Sequence, residues 1–169
     1  MWQWIQSRAT AAGVNAYLDT APTTPNAAVV IVGEASYTHG TNWPDTQPYL
    51  PPDQLSIIQN LTSQGIPTVV VYIMPRPYVI TTEAPLANAI VVAYRPGEGG
   101  GQALSELLFG DYLPSGKLPM QLPHDMNQIG TDVVTNQLEM WDLPYDLGAT
   151  DAERQTIRSY IAAGQPVPT

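Results

Sequence analysis

Three short runs of apolar, mostly β-branched residues constrain this chain more than anything else in it: Ala27 to Gly33 (AAVVIVG), Pro67 to Ile73 (PTVVVYI) and Ala89 to Tyr94 (AIVVAY). None of them alternates polar with apolar residues. A continuous apolar run of this length reads as a strand buried on both faces. Between the first two lies an amphipathic stretch at 53–64 (DQLSIIQNLTSQ), which places Leu55, Ile58 and Leu61 on one helical face and Gly65 at its stop. After the third run, Gln102 to Phe109 reads as a helix ended by Gly110, with Phe109 in the core. Buried strands alternating with helices predict an α/β fold, a mostly parallel sheet sandwiched by helices. Ligands of such sheets sit outside the carboxyl ends of the strands. The loops at 33–51, 74–78 and 95–101 all follow strands and are expected along that edge.

The flanking segments are less regular. Residues 3–12 read as a short helix capped by Gly13, and Asn15 to Leu18 as a short strand. Residues 34–51 show no period and are rich in Gly, Pro, Thr, Asn and aromatics; loops this long inside compact domains are often functional. Residues 83–88 form a short helix or turn, Met120 to Leu122 a short edge strand, and 151–163 a terminal helix. The length of 169 residues suits one domain, and 17 prolines with 13 glycines divide it into short elements with well-marked turns.

Composition removes several classes of function. The net charge is −9, and the six basic residues, Arg8, Arg76, Arg95, Lys117, Arg154 and Arg158, form no stripe that would track a nucleic acid. The absence of cysteine removes disulfides, thiolate metal sites and cysteine nucleophiles. His39 and His124 are the only histidines and lie far apart, which argues against a zinc site. No apolar run approaches the roughly 20 residues of a membrane helix. The start, Met1-Trp2-Gln3-Trp4, shows no basic segment followed by an apolar one, so no signal peptide is read there. No cofactor is expected: the loop Pro96-Gly97-Glu98-Gly99-Gly100-Gly101 precedes a helix but lacks the Gly-Lys-Ser/Thr ending of a nucleotide loop. Its glycines 99–101 are read as permitting positive φ and close backbone approach.

The most specific stretch runs from Ala93-Tyr94-Arg95-Pro96-Gly97-Glu98-Gly99-Gly100-Gly101-Gln102-Ala103 through Leu107-Leu108-Phe109-Gly110-Asp111-Tyr112 to Pro114-Ser115-Gly116-Lys117-Leu118-Pro119. It resembles the C-terminal α/β domain of family 3 glycoside hydrolases, of the β-glucosidase and exo-glucanase type. That domain usually reads A-W-x-P-G-x-x-G-G-x-A and then L-F-G-D-x-x-P-S-G-K-L-P. Other features follow in family order. Val32-Gly33-Glu34 with Tyr37 looks like the G-E-x-x-Y strand end. Leu50-Pro51 with Gln54 looks like the L-P-x-x-Q helix start. Pro67 to Val71 with Arg76-Pro77 looks like the P-T-V-V-V strand and its G-R-P turn, with Pro75 in place of glycine. The resemblance covers residues 27–123 well and the ends, 1–26 and 124–169, poorly. No counterpart of the family's first strand is found ahead of the 3–12 helix.

The resemblance implies a retaining hydrolase, in which two carboxyl groups about 5 to 5.5 Å apart act as nucleophile and acid/base. It places the nucleophilic Asp on a preceding (β/α)₈ barrel domain that this chain does not contain. It also implies that the loop after the G-E-x-x-Y strand end, here within 33–51, reaches the sugar site. One branch of the family continues Y-x-E-x-x-G-D, and its Glu is the acid/base. His39 stands at that position here, and an imidazolium can donate a proton. Glu34 is a second catalytic candidate, read chiefly as a hydrogen-bonding orienter. Tyr37, Trp43 and Asp45 are the candidate substrate contacts, with Trp43 and Tyr49 as a stacking wall for the apolar face of a sugar. Asp45 also suits a turn, and Arg76 suits a brace of the loop edge.

Two readings of function stand side by side. In the first, the chain completes the active site of a β-glucosidase with a barrel domain, in cis or in trans, acts on a β-linked glucoside or oligosaccharide, and is inactive alone. In the second, it is a non-catalytic carbohydrate-binding or interaction module derived from that family. A flavodoxin-like nucleotide binder is disfavoured by the missing phosphate loop after the first strand. A domain parted from its barrel leaves apolar surface and an unpaired sheet position open, so self-association is expected. The resemblance leaves the parent enzyme's compartment open between the periplasm and the exterior.

Overall fold

A computed structural model of the chain describes residues 1–33, 48–114, 118 and 122–123. The described elements follow the order α1 (Trp2–Ala11), β1 (Ala28–Gly33), α2 (Pro52–Ser63), β2 (Thr68–Ile73), β3 (Ala89–Val92) and α3 (Gly100–Leu108). The chain divides into two compact units, one containing α1 and α3 and the other containing the three strands and α2.

In the strand-bearing unit the sheet order is β1-β2-β3, and both pairings are parallel. Gly33 is level with Ile73, and Tyr72 is level with both Val32 and Val92, so all three strands end along one edge. That alignment follows from βαβ connection. Parallel neighbours require a crossover, and α2, packed on β1 and β2, supplies the first one. Proline at the first helical position starts α2 without losing a hydrogen bond, and Asp53 in its first turn faces the positive end of the helix dipole.

Burial separates the strands. In β2, Val70, Val71 and Tyr72 are fully buried, as an uninterrupted apolar run predicts. β1 departs from the expectation of burial on both faces. Val30 and Val32 are buried, but Val29 and Ile31 on the other face are 42% and 40% exposed. β3 is shorter than its apolar run, with Ala89 exposed and Ile90 to Val92 half-buried. The reason is position. β2 is flanked by strands on both sides, whereas β1 and β3 bound the described sheet. In α2 only Ile58 is fully buried, Leu55 and Leu61 are half-buried, and Ile57 is exposed.

The helix stops come out as predicted. Gly13, Gly65 and Gly110 have φ of 69°, 72° and 79°, and each closes its helix with paired backbone bonds, such as Val14 N–H to the Ala9 carbonyl at 2.8 Å and Gly13 N–H to that of Thr10 at 3.1 Å. The anticipated strand at Asn15 to Leu18 is absent. Among the described residues this segment pairs with no strand, and Val14, Tyr17 and Leu18 are each half exposed or more. Residues 81–86 form turns, and Leu122 is buried with a single bridge pairing. Met120 and the terminal helix expected at 151–163 lie outside the described residues.

In the helical unit α1 packs against α3, and Ala9 of α1 and Leu104 of α3 are buried. Arg8 forms a two-point ion pair with Asp111, and its guanidinium lies 5.8 Å from the Phe109 ring centroid. Phe109 is therefore half-buried under a cation instead of sitting in the core. The glycine-rich stretch also differs from its expected geometry. The positive φ lies at Gly97, while Gly99 is right-handed at −76°. Close approach falls at Gly101, where a Cβ would sit 2.8 Å from the Trp4 ring and 3.2 Å from the Met1 Cα.

Candidate functional site

The carboxyl edge of the sheet is where a parallel α/β fold presents its chemistry, because the strands stop there and leave their loops beyond them. Its best-defined element is Gly33, the last residue of β1. A Cβ at this position would lie 1.9 Å from the Ile73 carbonyl oxygen and 2.8 Å from its carbon. Only a residue without a side chain fits beside the end of β2. On its outward side Gly33 is paired with Gln54. The Gly33 N–H donates to Gln54 Oε1 at 2.8 Å, and Gln54 Nε2 donates to the Gly33 carbonyl at 2.9 Å. A side-chain amide carries one acceptor and donors at the spacing of a peptide group, so it stands where a neighbouring strand's backbone would.

Beneath this edge lies a buried polar pair. Tyr72, the penultimate residue of β2, donates its hydroxyl to Glu83 Oε1 at 2.7 Å, and both residues are almost wholly inaccessible. Tyr78 meets the Tyr72 ring edge-on at 6.5 Å between centroids and 76° between planes. Burial pushes the Glu83 carboxyl above its usual range, against the opposing pull of the Tyr72 hydrogen bond. Burial, together with the neighbouring carboxyl, holds the Tyr72 phenol well above its ordinary value, so it remains a donor. The same layer anchors the chain where the candidate loop ends: Val79 N–H donates to the Pro48 carbonyl at 2.8 Å, and Pro48, Leu50 and Val79 are buried.

At the end of β3, Tyr94 takes a left-handed conformation with φ of 51°, uncommon for a residue with a side chain. Its hydroxyl is buried without a hydrogen-bond partner among the described residues, and burial raises its pKa. At the opposite edge Asn88 holds both polar groups of Thr68 through one side-chain atom and its backbone N–H. Its Oδ1 accepts from Thr68 N–H at 2.8 Å, and its own N–H donates to the Thr68 carbonyl at 2.9 Å.

The residues proposed from the sequence for catalysis and sugar contact, Glu34, Tyr37, His39, Trp43 and Asp45, lie outside the described residues. Their flanks are described, at Gly33 and Pro48. Tyr49 is 38% exposed, and Arg76 is half-buried in the turn after β2. Gln54 was legible only as part of a helix-start motif, and Glu83 only as part of a turn; neither had a role. Among the described residues no group of three or more His, Asp or Glu gathers that would hold a metal ion. No described helix is long and apolar enough to cross a membrane.

A parallel sheet with helices, its strand ends aligned along one edge, defines an α/β domain. Comparison with known proteins gives the family. Residues 1–160 match the model of the glycosyl hydrolase family 3 C-terminal domain, a span that extends beyond residues 27–123, where the motifs are densest. The chain belongs to that family, as its C-terminal domain. Its relatives include a periplasmic β-glucosidase of Salmonella typhimurium, 37% identical over 101 residues that make up 60% of this chain and 13% of the relative. Similar solved structures include a Neurospora crassa family 3 β-glucosidase, with TM-score 0.63 and 26% identity over 78% of this chain and 18% of that one. The Listeria innocua β-glucosidase in complex with glucose gives TM-score 0.56 and 28% identity over 61% of this chain and 14% of that one. The chain thus spans a small fraction of the length of the relatives it matches. Enzymes of this family hydrolyse glycosidic bonds.

Proposed function

We propose that residues 1–169 act as one domain of a retaining β-glucosidase, contributing the loop that follows β1 to the sugar site of a (β/α)₈ barrel domain, in cis or in trans. The observation that carries this reading is the family match over residues 1–160, set against relatives of which the chain covers only 13 to 18%. The aligned strand ends support it, because β1 ends along the carboxyl edge, where such sheets meet ligands. In this reading His39 stands in the acid/base position and Glu34 orients, while Tyr37, Trp43 and Asp45 contact a β-linked glucoside. The barrel supplies the nucleophilic carboxylate, and the chain alone does not turn over substrate. No cofactor takes part.

A second reading, a non-catalytic sugar-binding or interaction module, is favoured by one feature: a histidine where one family branch has its acid glutamate. The two are separated by an aryl β-glucoside assay of the chain alone and mixed with a family 3 barrel domain. Turnover in the mixture supports the first reading. Sugar binding without turnover in the mixture supports the second.

A further inference from the structure

We propose that Gln54 is a positioning residue for the sugar site: its amide, paired with both polar groups of Gly33, sets the direction in which the chain leaves β1. The inference rests on the reading above that residues after Gly33 reach the substrate. Its structural basis is independent of that reading.

An extended residue directs its N–H and C=O to the same side, which is why two such residues exchange paired bonds across a ladder. Gly33 places both groups on Gln54, at 2.8 and 2.9 Å, from 21 residues away in sequence. On its other side Gly33 is level with Ile73, so close that no side chain fits. The last residue of β1 is thus held from two directions, by a strand backbone and by a helix side chain. The Gly33 carbonyl belongs to the planar peptide unit that joins it to the following residue. Holding that carbonyl fixes the plane in which the chain departs.

The residue type is specific to this task. Asparagine, one methylene shorter, does not span the same distance from the helix. Methionine and leucine fill the space without bonding. A glutamate in the same place still accepts from Gly33 N–H, but when ionised it has no proton for the Gly33 carbonyl and sets two oxygens against each other. The far end of the segment is anchored independently by Val79 N–H on the Pro48 carbonyl, at 2.8 Å. Gly33 is thus held by a side-chain amide and Pro48 by a backbone bond. Misplacement of reacting groups by about 1 Å from such a remote change lowers turnover by about 100-fold.

The test compares the wild-type chain, Gln54→Met and Gln54→Glu, each mixed with a family 3 barrel domain, using an aryl β-glucoside and following kcat, KM and pH. Amide hydrogen exchange of the sheet is measured in parallel on each full chain. Gln54→Met is expected to lower kcat by about 10- to 100-fold with KM changed by less than about threefold, while the amides of β2 keep their protection. Gln54→Glu is expected to lose activity near neutral pH and to regain it, relative to wild type, as pH falls and the introduced carboxyl takes up its proton. Wild-type turnover with unchanged kcat in Gln54→Met overturns the inference alone. A parallel loss of β2 protection in both variants also overturns it, because Gln54 then serves only to hold the fold. Absence of turnover with the wild-type chain overturns the sugar-site reading itself, and with it the positioning role.

Discussion

The Tyr72 hydroxyl donates to the Glu83 carboxyl at 2.7 Å in the interior of the strand-bearing unit, joining the central strand to the turn at 81–86. Neither group has appreciable access to solvent. A buried polar pair of this kind is tolerated only while it is satisfied and, for the carboxyl, while charge is avoided.

This gives a signed pH dependence. The Glu83 carboxyl is raised in the folded chain by burial, so the folded state binds its proton more tightly than the unfolded state. Its contribution to stability is fully present below the unfolded carboxyl value of about 4.3 and is lost as pH rises through the folded one. Glu83→Gln keeps an acceptor for Tyr72 and cannot ionise. Urea unfolding from pH 4 to pH 8 is expected to show the variant gaining on wild type as pH rises. A constant difference across that range would count against a raised carboxyl.

Gly33 offers a sharper structural test. A methyl group there meets the Ile73 carbonyl at 1.9 Å, and that atom belongs to a paired backbone that cannot turn aside. Gly33→Ala is expected to cost about 3 kcal/mol, at the upper end of overpacking effects. Chemical denaturation measures it. A change below about 0.5 kcal/mol, the usual range for surface substitutions, would show that the strands do not approach so closely.

The open face of β1 predicts association. Val29 and Ile31 are 42% and 40% exposed on a strand that bounds the described sheet. Apolar strand edges invite pairing with another chain. Sedimentation velocity of the isolated chain is expected to show a dimer or larger species, and Ile31→Lys to shift it toward monomer. A monomer at all concentrations in the wild-type chain would contradict this.

Much of the fold was readable from local pattern. The three apolar runs locate the strands, and Gly13, Gly65 and Gly110 end the helices because a left-handed residue costs glycine little. What was hidden is non-local. The run Val29-Val30-Ile31-Val32 has no alternation, so nothing in it reveals that one face of β1 is open while β2 is enclosed. Asn15 to Leu18 has the composition of a strand but pairs with none among the described residues. The bonds from Gln54 to Gly33 and from Tyr72 to Glu83 cross 21 and 11 residues, beyond any periodic signal. The family motifs identified the loop within 33–51 as the candidate site, and resemblance alone carries its residues, His39 foremost.

The central claim is that this family 3 domain completes a sugar site it does not contain by itself. Aryl β-glucoside hydrolysis by the chain alone, by a family 3 barrel domain alone and by the two mixed tests it most directly. The account predicts no turnover by the chain alone and a rate in the mixture well above that of the barrel. Robust turnover by the isolated chain, or no gain on mixing, would contradict it.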